Sequence, residues 1–316
     1  MRVIITGGTG LIGRALAADL LKDDHEVIAL SRRPERATGL PAGMRVERWD
    51  ARTSEGWGPL VNGADAIVNL AGATIAGLWT ASRKRSIRDS RLNAGRAVVE
   101  AIQRASVKPR VVIQASGVGY YGPRGDEPIT EESTSGDDFL GRLAVEWEAS
   151  TAPVEPLGVR RAIIRTGAVL STKGGALPPL LLQYRLFAGG PLGSGRQWLP
   201  WIHMVDEVHA IRFLIENESA SGPFNLVAPN PLTNADFGRV LARVLRRPFW
   251  IPVPALALRL LAGEMSTILL DGQRAVPRRL QDAGFSFHFP EAETALRDLL
   301  RQGSRARIVA DAGRLE

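Results

Sequence analysis

The chain has 316 residues, 45% of them hydrophobic, which is enough to bury the core of one large α/β domain with a smaller lobe. It contains no cysteine, so disulfides, zinc–thiolate centres and cysteine nucleophiles are excluded. Lys and Arg number 40 against 33 Asp and Glu, but they are spread along the chain without an aromatic-interleaved cluster. No nucleic acid is therefore expected as partner, and the charge of +7 fits a basic surface with one anion-binding cleft.

The first residues are not expected to form a secretory signal, because Arg2 precedes an apolar run of three residues that Thr6 and the glycines end. No apolar run reaches the roughly 18 residues of a spanning helix. A cytoplasmic protein without membrane contact is expected. Arg2 to Ile5 reads as a short buried strand, and residues 11–22 as a helix with Leu11, Ala15, Ala18 and Leu21 on one face. Val27 to Leu30 is a second strand, Met44 to Trp49 a third and Asp65 to Leu70 a fourth. A long helix follows over residues 81–105. Arg110 to Gln114 is the fifth strand, and a helix over 138–150 leads to a sixth near Arg161 to Arg165. Strands separated by helices imply an α/β fold: a Rossmann-type doubly wound parallel sheet, covered on both faces, with right-handed crossovers.

Beyond residue 170 the rhythm changes. Lys173-Gly174-Gly175 is a loop, and the apolar run Ala176 to Leu182 follows. Gly189 to Gly195 is a Gly/Pro-rich turn region. Pro200 to Ile215 reads as a strand and then a helix, Phe224 to Val227 as a strand, Asn234 to Leu245 as a helix and Ala255 to Leu261 as another. Pro248 to Pro254 is too rich in proline for one continuous helix. The expected division is a nucleotide-binding domain over residues 1–170 and a smaller C-terminal substrate lobe with returning sheet elements over 171–300. A polar, basic tail over 301–316 is expected to fray.

The chemistry concentrates in Gly7-Gly8-Thr9-Gly10-Leu11-Ile12-Gly13, between the first strand and the first helix. Gly7 suits a tight turn, Gly10 lets backbone approach a pyrophosphate, and Gly13 lets the helix pack closely on the strand. The free N–H groups of the helix start then face phosphate oxygens. Gly7, Thr9, Gly10, Leu11, Ile12 and Gly13 are the expected cofactor contacts. A P-loop is excluded, since no Gly-Lys-Ser/Thr follows. An NAD site places an acid at the end of the second strand. Here Ser31-Arg32-Arg33 stands there instead, suited to a 2′-phosphate through charge-assisted bonds, which favours NADP (NADPH) over NAD. Asp50, ending the third strand, is an expected adenine-side contact or else a turn residue. Four scattered histidines show no ligand spacing, so no metal is expected.

With its preceding Thr6, this glycine loop resembles that of the extended short-chain dehydrogenase/reductase superfamily. Asn69-Leu70-Ala71-Gly72-Ala73 resembles the fourth-strand motif lining the cofactor, which implies contacts from Leu70, Ala71 and Gly72. Gln114-Ala-Ser116 resembles the fifth strand with its catalytic-region serine, and Trp201-Ile-His203-Met-Val-Asp206-Glu207-Val a late substrate-lobe segment. More narrowly, the chain resembles an uncharacterised "epimerase family" branch related to the sugar-nucleotide epimerases. That likeness is carried by Gly119-Tyr120-Tyr121-Gly122, Gly136-Asp137-Asp138-Phe139-Leu140, Trp147-Glu148 and Gly174-Gly175. A small C-terminal module is suggested by Gly272-Gln273-Arg274-Ala-Val-Pro277 and Leu280-x-x-x-Gly284-Phe285. The resemblance covers about residues 1–300.

The superfamily's chemistry uses a helical Tyr with a Lys four residues later, and this chain lacks the pair. Its three tyrosines, Tyr120, Tyr121 and Tyr184, are followed at that spacing by Arg124, Gly125 and Ala188. The helix after Asp138 has neither Tyr nor Lys. Three accounts stay open: a substituted acid/base, a cofactor-binding protein without turnover, and hydride transfer with water as proton source. For the first, Tyr120 or Tyr121 are the candidates, with Ser116 orienting substrate, or else the tyrosines pack a pocket wall. Asp138 and Glu146 are alternative proton carriers, or else surface or capping residues. His203 and Arg196 are candidate substrate contacts, with a structural role equally open for His203, and Arg165 is a further one for an anion. Trp79 is expected to face the cleft. Basic Arg83, Lys84 and Arg85 at a helix start hint at an anionic neighbour. The expected activity is that of an NADP-dependent oxidoreductase or epimerase-like enzyme on a small polar metabolite, or a catalytically inactive NADP(H)-binding regulatory protein. Its partners are then a small-molecule substrate and itself at most, as monomer or homodimer.

Overall fold

The computed structural model describes residues 1–301 of the chain, so the expected frayed tail lies almost wholly outside the described residues. Seven parallel strands form one sheet: β1 (Arg2–Thr6), β2 (Glu26–Ser31), β3 (Arg45–Arg48), β4 (Ala66–Asn69), β5 (Val111–Gly117), β6 (Arg160–Thr166) and β7 (Gly222–Leu226). Their order is β3-β2-β1-β4-β5-β6-β7. The chain runs outward from β1 to one edge, then returns to the other side of β1 through β4. This reversal opens a crevice at the carboxyl ends of β1 and β4, where such sheets bind ligands.

Near-continuous apolar strands are what a sheet buried on both faces demands. Alternate residues of β1 point to opposite layers. Val3 and Ile5 join the core beneath α1 (Leu11–Leu20) and α5 (Met204–Glu216), with Leu16, Leu20, Ile211 and Leu214. Ile4 joins the layer beneath α2 (Ala81–Arg104), with Ala94, Val98, Ala101 and Ile102. Helix α3 (Phe139–Ala149) packs against α2 and β5. The smaller lobe has its own core, built from α4 (Leu177–Arg185), α6 (Asn234–Leu245) and a helical segment beginning at Ala292. Leu177, Leu181, Tyr184, Phe237, Leu241 and Leu296 meet there. Helix α7 (Ala255–Ala262) is nearly as expected from the sequence.

The sequence leaves one element open, and one runs further than expected. The apolar run from Ala176 is helix α4, with Pro178 and Pro179 in its first turn, where a missing N–H leaves no bond unmade. Strand β5 continues past Gln114 to Gly117, which puts Ser116 on the strand itself. The glycine-rich turn also has a packing cause. A Cβ on Gly190 would stand 1.9 Å from the Ile251 carbonyl oxygen, so the proline-punctuated segment can lie directly on it.

Helix α1 is pressed against β1 at one point. A Cβ on Gly13 would lie 2.6 Å from Gly8 Cα and 2.7 Å from the Gly7 oxygen, both rigid backbone. Gly13→Ala is therefore expected to push α1 off the loop and destabilise the chain by about 1–3 kcal/mol, read as a lower Tm in thermal melts.

Candidate functional site

The crevice begins with the loop after β1. Gly7 takes a left-handed φ of +67°, and a Cβ there would lie 3.0 Å from the Leu70 carbonyl across the crevice. The Gly10 N–H closes the turn on the Gly7 oxygen at 2.9 Å. Helix α1 starts at Leu11 with no side chain capping its end and no acid in its first turn. The N–H groups at that end lack helical acceptors by geometry and carry the positive end of the helix dipole. Bare backbone, positive dipole and absent Cβ atoms make a cradle that fits a pyrophosphate. Gly7, Thr9, Gly10, Leu11, Ile12 and Gly13 all lie on it. Arg14 braces it by donating to the carbonyls of Thr9 (2.6 Å) and Thr38 (2.7 Å).

The opposite wall is Leu70, Ala71 and Gly72. A buried polar chain fixes it that the periodicity of the strands does not reveal. Thr6 Oγ1 donates to Asn69 Oδ1 (2.6 Å) and accepts from the Ala71 N–H (3.2 Å), while Asn69 Nδ2 donates to Gln114 Oε1 (2.8 Å). The carboxyl ends of β1, β4 and β5 are thereby tied together. The signal available in sequence was a polar residue ending each of three apolar runs.

At the end of β2, Ser31 Oγ accepts from the Arg33 N–H at 3.2 Å. Arg32 and Arg33 are exposed and enter no ion pair among the described residues, whereas nearby Arg48 is held by Glu35. Asp50 is taken up as a turn residue. Its carboxylate accepts the N–H groups of Arg52 (2.7 Å) and Thr53 (2.9 Å) and the Thr53 hydroxyl. Desolvation opposes its charge, but those donors prevail and hold its carboxyl below the usual range.

The expected catalytic residues converge, but around an arginine rather than around open space. Arg165 on β6 donates Nε and Nη2 to the two carboxylate oxygens of Glu148 on α3, each at 2.9 Å. Ser116 donates its hydroxyl to the same carboxylate at 2.7 Å. Arg165 Nη1 donates to the Tyr121 hydroxyl (3.1 Å), which donates onward to Asn225 Oδ1 (2.6 Å). The guanidinium also lies 3.4 Å from the Tyr120 ring centroid. Burial works against the Arg165 charge, yet Glu148 outweighs it and holds the guanidinium charged more firmly than usual.

Several expectations are corrected by this arrangement. Tyr121 is 0% exposed, and burial pushes its phenol up to about 12, so it is a structural link and not an acid facing a ligand. Arg165 has its charge matched by Glu148 and four of its N–H donors engaged by Glu148, Tyr121 and the Glu131 carbonyl, so it is not a free contact for an anionic substrate. The Ser116 proton is committed to Glu148 and not to a substrate oxygen. His203 is buried at the start of α5, where Nδ1 accepts the Val205 N–H (3.1 Å) and the ring stacks on Phe289 (3.9 Å). Burial lowers its imidazole pKa despite Asp298 and Asp206, and its surroundings are the C-terminal segment rather than a cleft. Asp138 caps α3 by accepting from the Gly141 N–H, and Glu146 pairs with Arg88 on the surface. Trp79 is buried edge-on against Phe139. Arg196 is exposed in its turn, and Tyr120, half-buried, keeps its hydroxyl free of protein partners among the described residues.

Two buried acids have roles that no sequence pattern assigned. Glu131 accepts from the Asn225 and Arg279 N–H groups and links β7 to the C-terminal module. Glu207, in the first turn of α5, accepts only the Thr166 hydroxyl (2.9 Å) among the described residues, and burial pushes its carboxyl up to about 8. No group of three or more acids or histidines in the described residues could hold a metal, and no described helix is long and apolar enough to cross a membrane. A hollow lined by Ser54, Asn62 and Arg104 lies at the C-terminal end of α2.

Comparison with known proteins agrees with this geometry. The family model described as the NAD dependent epimerase/dehydratase family matches residues 3–227, and one described as a domain of unknown function, DUF1731, matches residues 253–299. The chain is 42% identical over 303 residues to epimerase family protein YfhF of Bacillus subtilis, covering 95% of this chain and 98% of that one. It is 39% identical over 301 residues to epimerase family protein SA0724 of Staphylococcus aureus, covering 95% and 99%. Among solved structures, human epimerase family protein SDR39U1 (isoform 2), determined with NADPH, is 35% identical with a TM-score of 0.86, covering 95% and 99%.

Glu207 gives the site a pH dependence of known sign. Its folded-state pKa lies near 8, above the ordinary 4.5, so its contribution to stability is complete below about pH 4.5 and is lost as pH rises through about 8. Glu207→Gln should leave Tm near wild type at pH 5 and raise it by several degrees at pH 8.5, measured by calorimetry across that range.

Proposed function

The chain belongs to the NAD dependent epimerase/dehydratase family, and from that premise we propose that it binds NADP(H) in the crevice between β1 and β4 and acts as an oxidoreductase on a small polar metabolite. The observation that carries this reading is the pairing of a bare glycine cradle with two unpaired arginines at the end of β2. The cradle would hold the pyrophosphate through the backbone of Gly7, Gly10 and the first turn of α1. Arg32 and Arg33, with the Ser31 hydroxyl, would hold a 2′-phosphate, for which an acid at that position would be repulsive. The similar human protein determined with NADPH supports the same choice.

A bound nicotinamide supplies hydride transfer to or from a carbinol or carbonyl carbon. The chain must then orient the substrate, exclude water and handle one proton. Tyr120 is the residue proposed for the proton, because Ser116 and Tyr121 are consumed by the Arg165 network while the Tyr120 hydroxyl is free. The Arg165 guanidinium beneath its ring fixes the phenol in place. Substrate would meet it from the lobe formed by residues 171–300, with Arg196 on the rim.

One observation favours a second reading, an NADP(H)-binding regulatory protein without turnover. The Ser116 proton points into Glu148, and α3 presents Leu140 to Gly119, a Cβ on which would lie 3.1 Å from that of Leu140.

Replacing Arg32 and Arg33 by Ala should raise the Kd for NADPH about tenfold or more while leaving that for NADH unchanged, because charge-assisted bonds to a 2′-phosphate are lost. Equal weakening of both would count against the assignment. The two readings separate in a screen of carbonyl metabolites with NADPH. Turnover that Tyr120→Phe lowers about a hundredfold supports the enzyme. NADPH binding without turnover on any carbonyl favours the regulator.

A further inference from the structure

Among the described residues two arginines are buried, Arg165 and Arg91, and they are held in opposite ways. Arg165 has Glu148. Arg91, on α2, is 8% exposed and has no carboxylate partner among the described residues. Its Nη1 donates to the Ala73 and Ile87 carbonyls, each at 3.0 Å. The guanidinium stacks over Trp147 of α3, 4.6 Å from the ring centroid. Among the described residues Nε is sealed from solvent without a partner, and only Nη1 of the two terminal nitrogens makes hydrogen bonds. The neighbouring Arg83, which donates to the Thr74 carbonyl, adds positive charge. Burial, and then Arg83, lower the Arg91 pKa to about 10, which leaves it charged at neutral pH. A buried charge without a counter-charge is costly, and this one has donor capacity left over.

Its place in the fold gives that capacity a direction. A Cβ on Gly72 would lie 3.0 Å from Arg91 Cζ, so the guanidinium stands directly behind the crevice wall formed by Leu70, Ala71 and Gly72. The wall's other neighbour is Gly7. Arg91 is on the β4–α3 side of the cradle. Arg32 and Arg33 are on the β2 side, where the adenosine end of a dinucleotide would lie. The half beyond the pyrophosphate would then extend toward Arg91.

We propose that Arg91 is a positioning residue for the nicotinamide–ribose half of the cofactor. It holds the Gly72–Ala73 backbone against that half and supplies from α2 the fixed positive charge that α3, without a lysine, does not provide. This rests on the cofactor reading above. The residue acts on ligand polarity and orientation and takes no part in bond making.

The test compares NADPH with adenosine 2′,5′-bisphosphate, which carries the 2′-phosphate but no nicotinamide half. Both are titrated into the full chain, wild type and variants, by calorimetry. Arg91→Met should weaken NADPH about tenfold while leaving the bisphosphate unchanged, since one charged donor is lost. Arg91→Lys, which keeps the charge, should recover most of the affinity. If Arg91→Met does not fold, Gly72→Ala serves instead: its Cβ displaces the guanidinium and should give the same selective loss. Equal loss for both ligands, or no loss for NADPH, overturns the proposal by making Arg91 a packing residue. Wild-type protein that binds neither ligand would bring down the cofactor reading first, and this inference with it.

Discussion

Glu148 reaches from α3 to Arg165 on β6, and the carboxyl end of the sheet is arranged around that contact. Both groups are buried, and each oxygen and nitrogen facing the other is hydrogen bonded at 2.9 Å. A buried pair of this kind contributes little net stability, but removing either partner leaves a bare charge and costs about 3–5 kcal/mol. It therefore imposes geometry more than it adds stability. Ser116, Tyr121 and Asn225 hydrogen bond to it directly or through one neighbour, and Tyr120 lies across its face. That link ties α3 to β6 and, through Tyr120 and Tyr121, to the segment over residues 118–121.

Beside this hub, the cofactor crevice is shaped by backbone contact and by a separate polar chain. The Thr6–Asn69–Gln114 relay fixes three strand ends, and the glycines let α1, β1 and the β4 loop approach closer than any Cβ would permit. Charge is distributed to match. Arginines stand free at the end of β2, one lies behind the β4 loop, and the first turn of α1 has no acid. Positive charge thus stands on both sides of the crevice, with no acid at the helix start between them. The proton-transfer side is prepared differently, with most of its polar groups spent on one another.

The strands and helices of the sheet were legible because their causes are local. Apolar runs of four or five residues, helical periodicity and the Gly7–Gly13 spacing each act within one element. The family likeness was legible for the same reason, since its motifs are short and ordered. The role of Ser116 was not, because a serine at the end of a strand looks the same whether its hydroxyl meets a substrate or a glutamate 32 residues away. For Tyr121 and His203 a structural role stayed open beside a functional one on the same ground. Their partners, Asn225 and Phe289, come from β7 and the C-terminal module, which no local pattern connects to them. Arg91 escaped notice because a helical arginine is ordinarily exposed, and only the closeness of Gly72 and Trp147 reveals that this one is not.

The central claim is that the crevice is built for a dinucleotide bearing a 2′-phosphate. The most direct measurement is a side-by-side titration of wild-type protein with NADPH and NADH at one ionic strength. The account predicts that NADPH binds more tightly by about tenfold or more, and that the difference shrinks as salt screens the exposed Arg32 and Arg33. Equal affinities, or tighter binding of NADH, would contradict it.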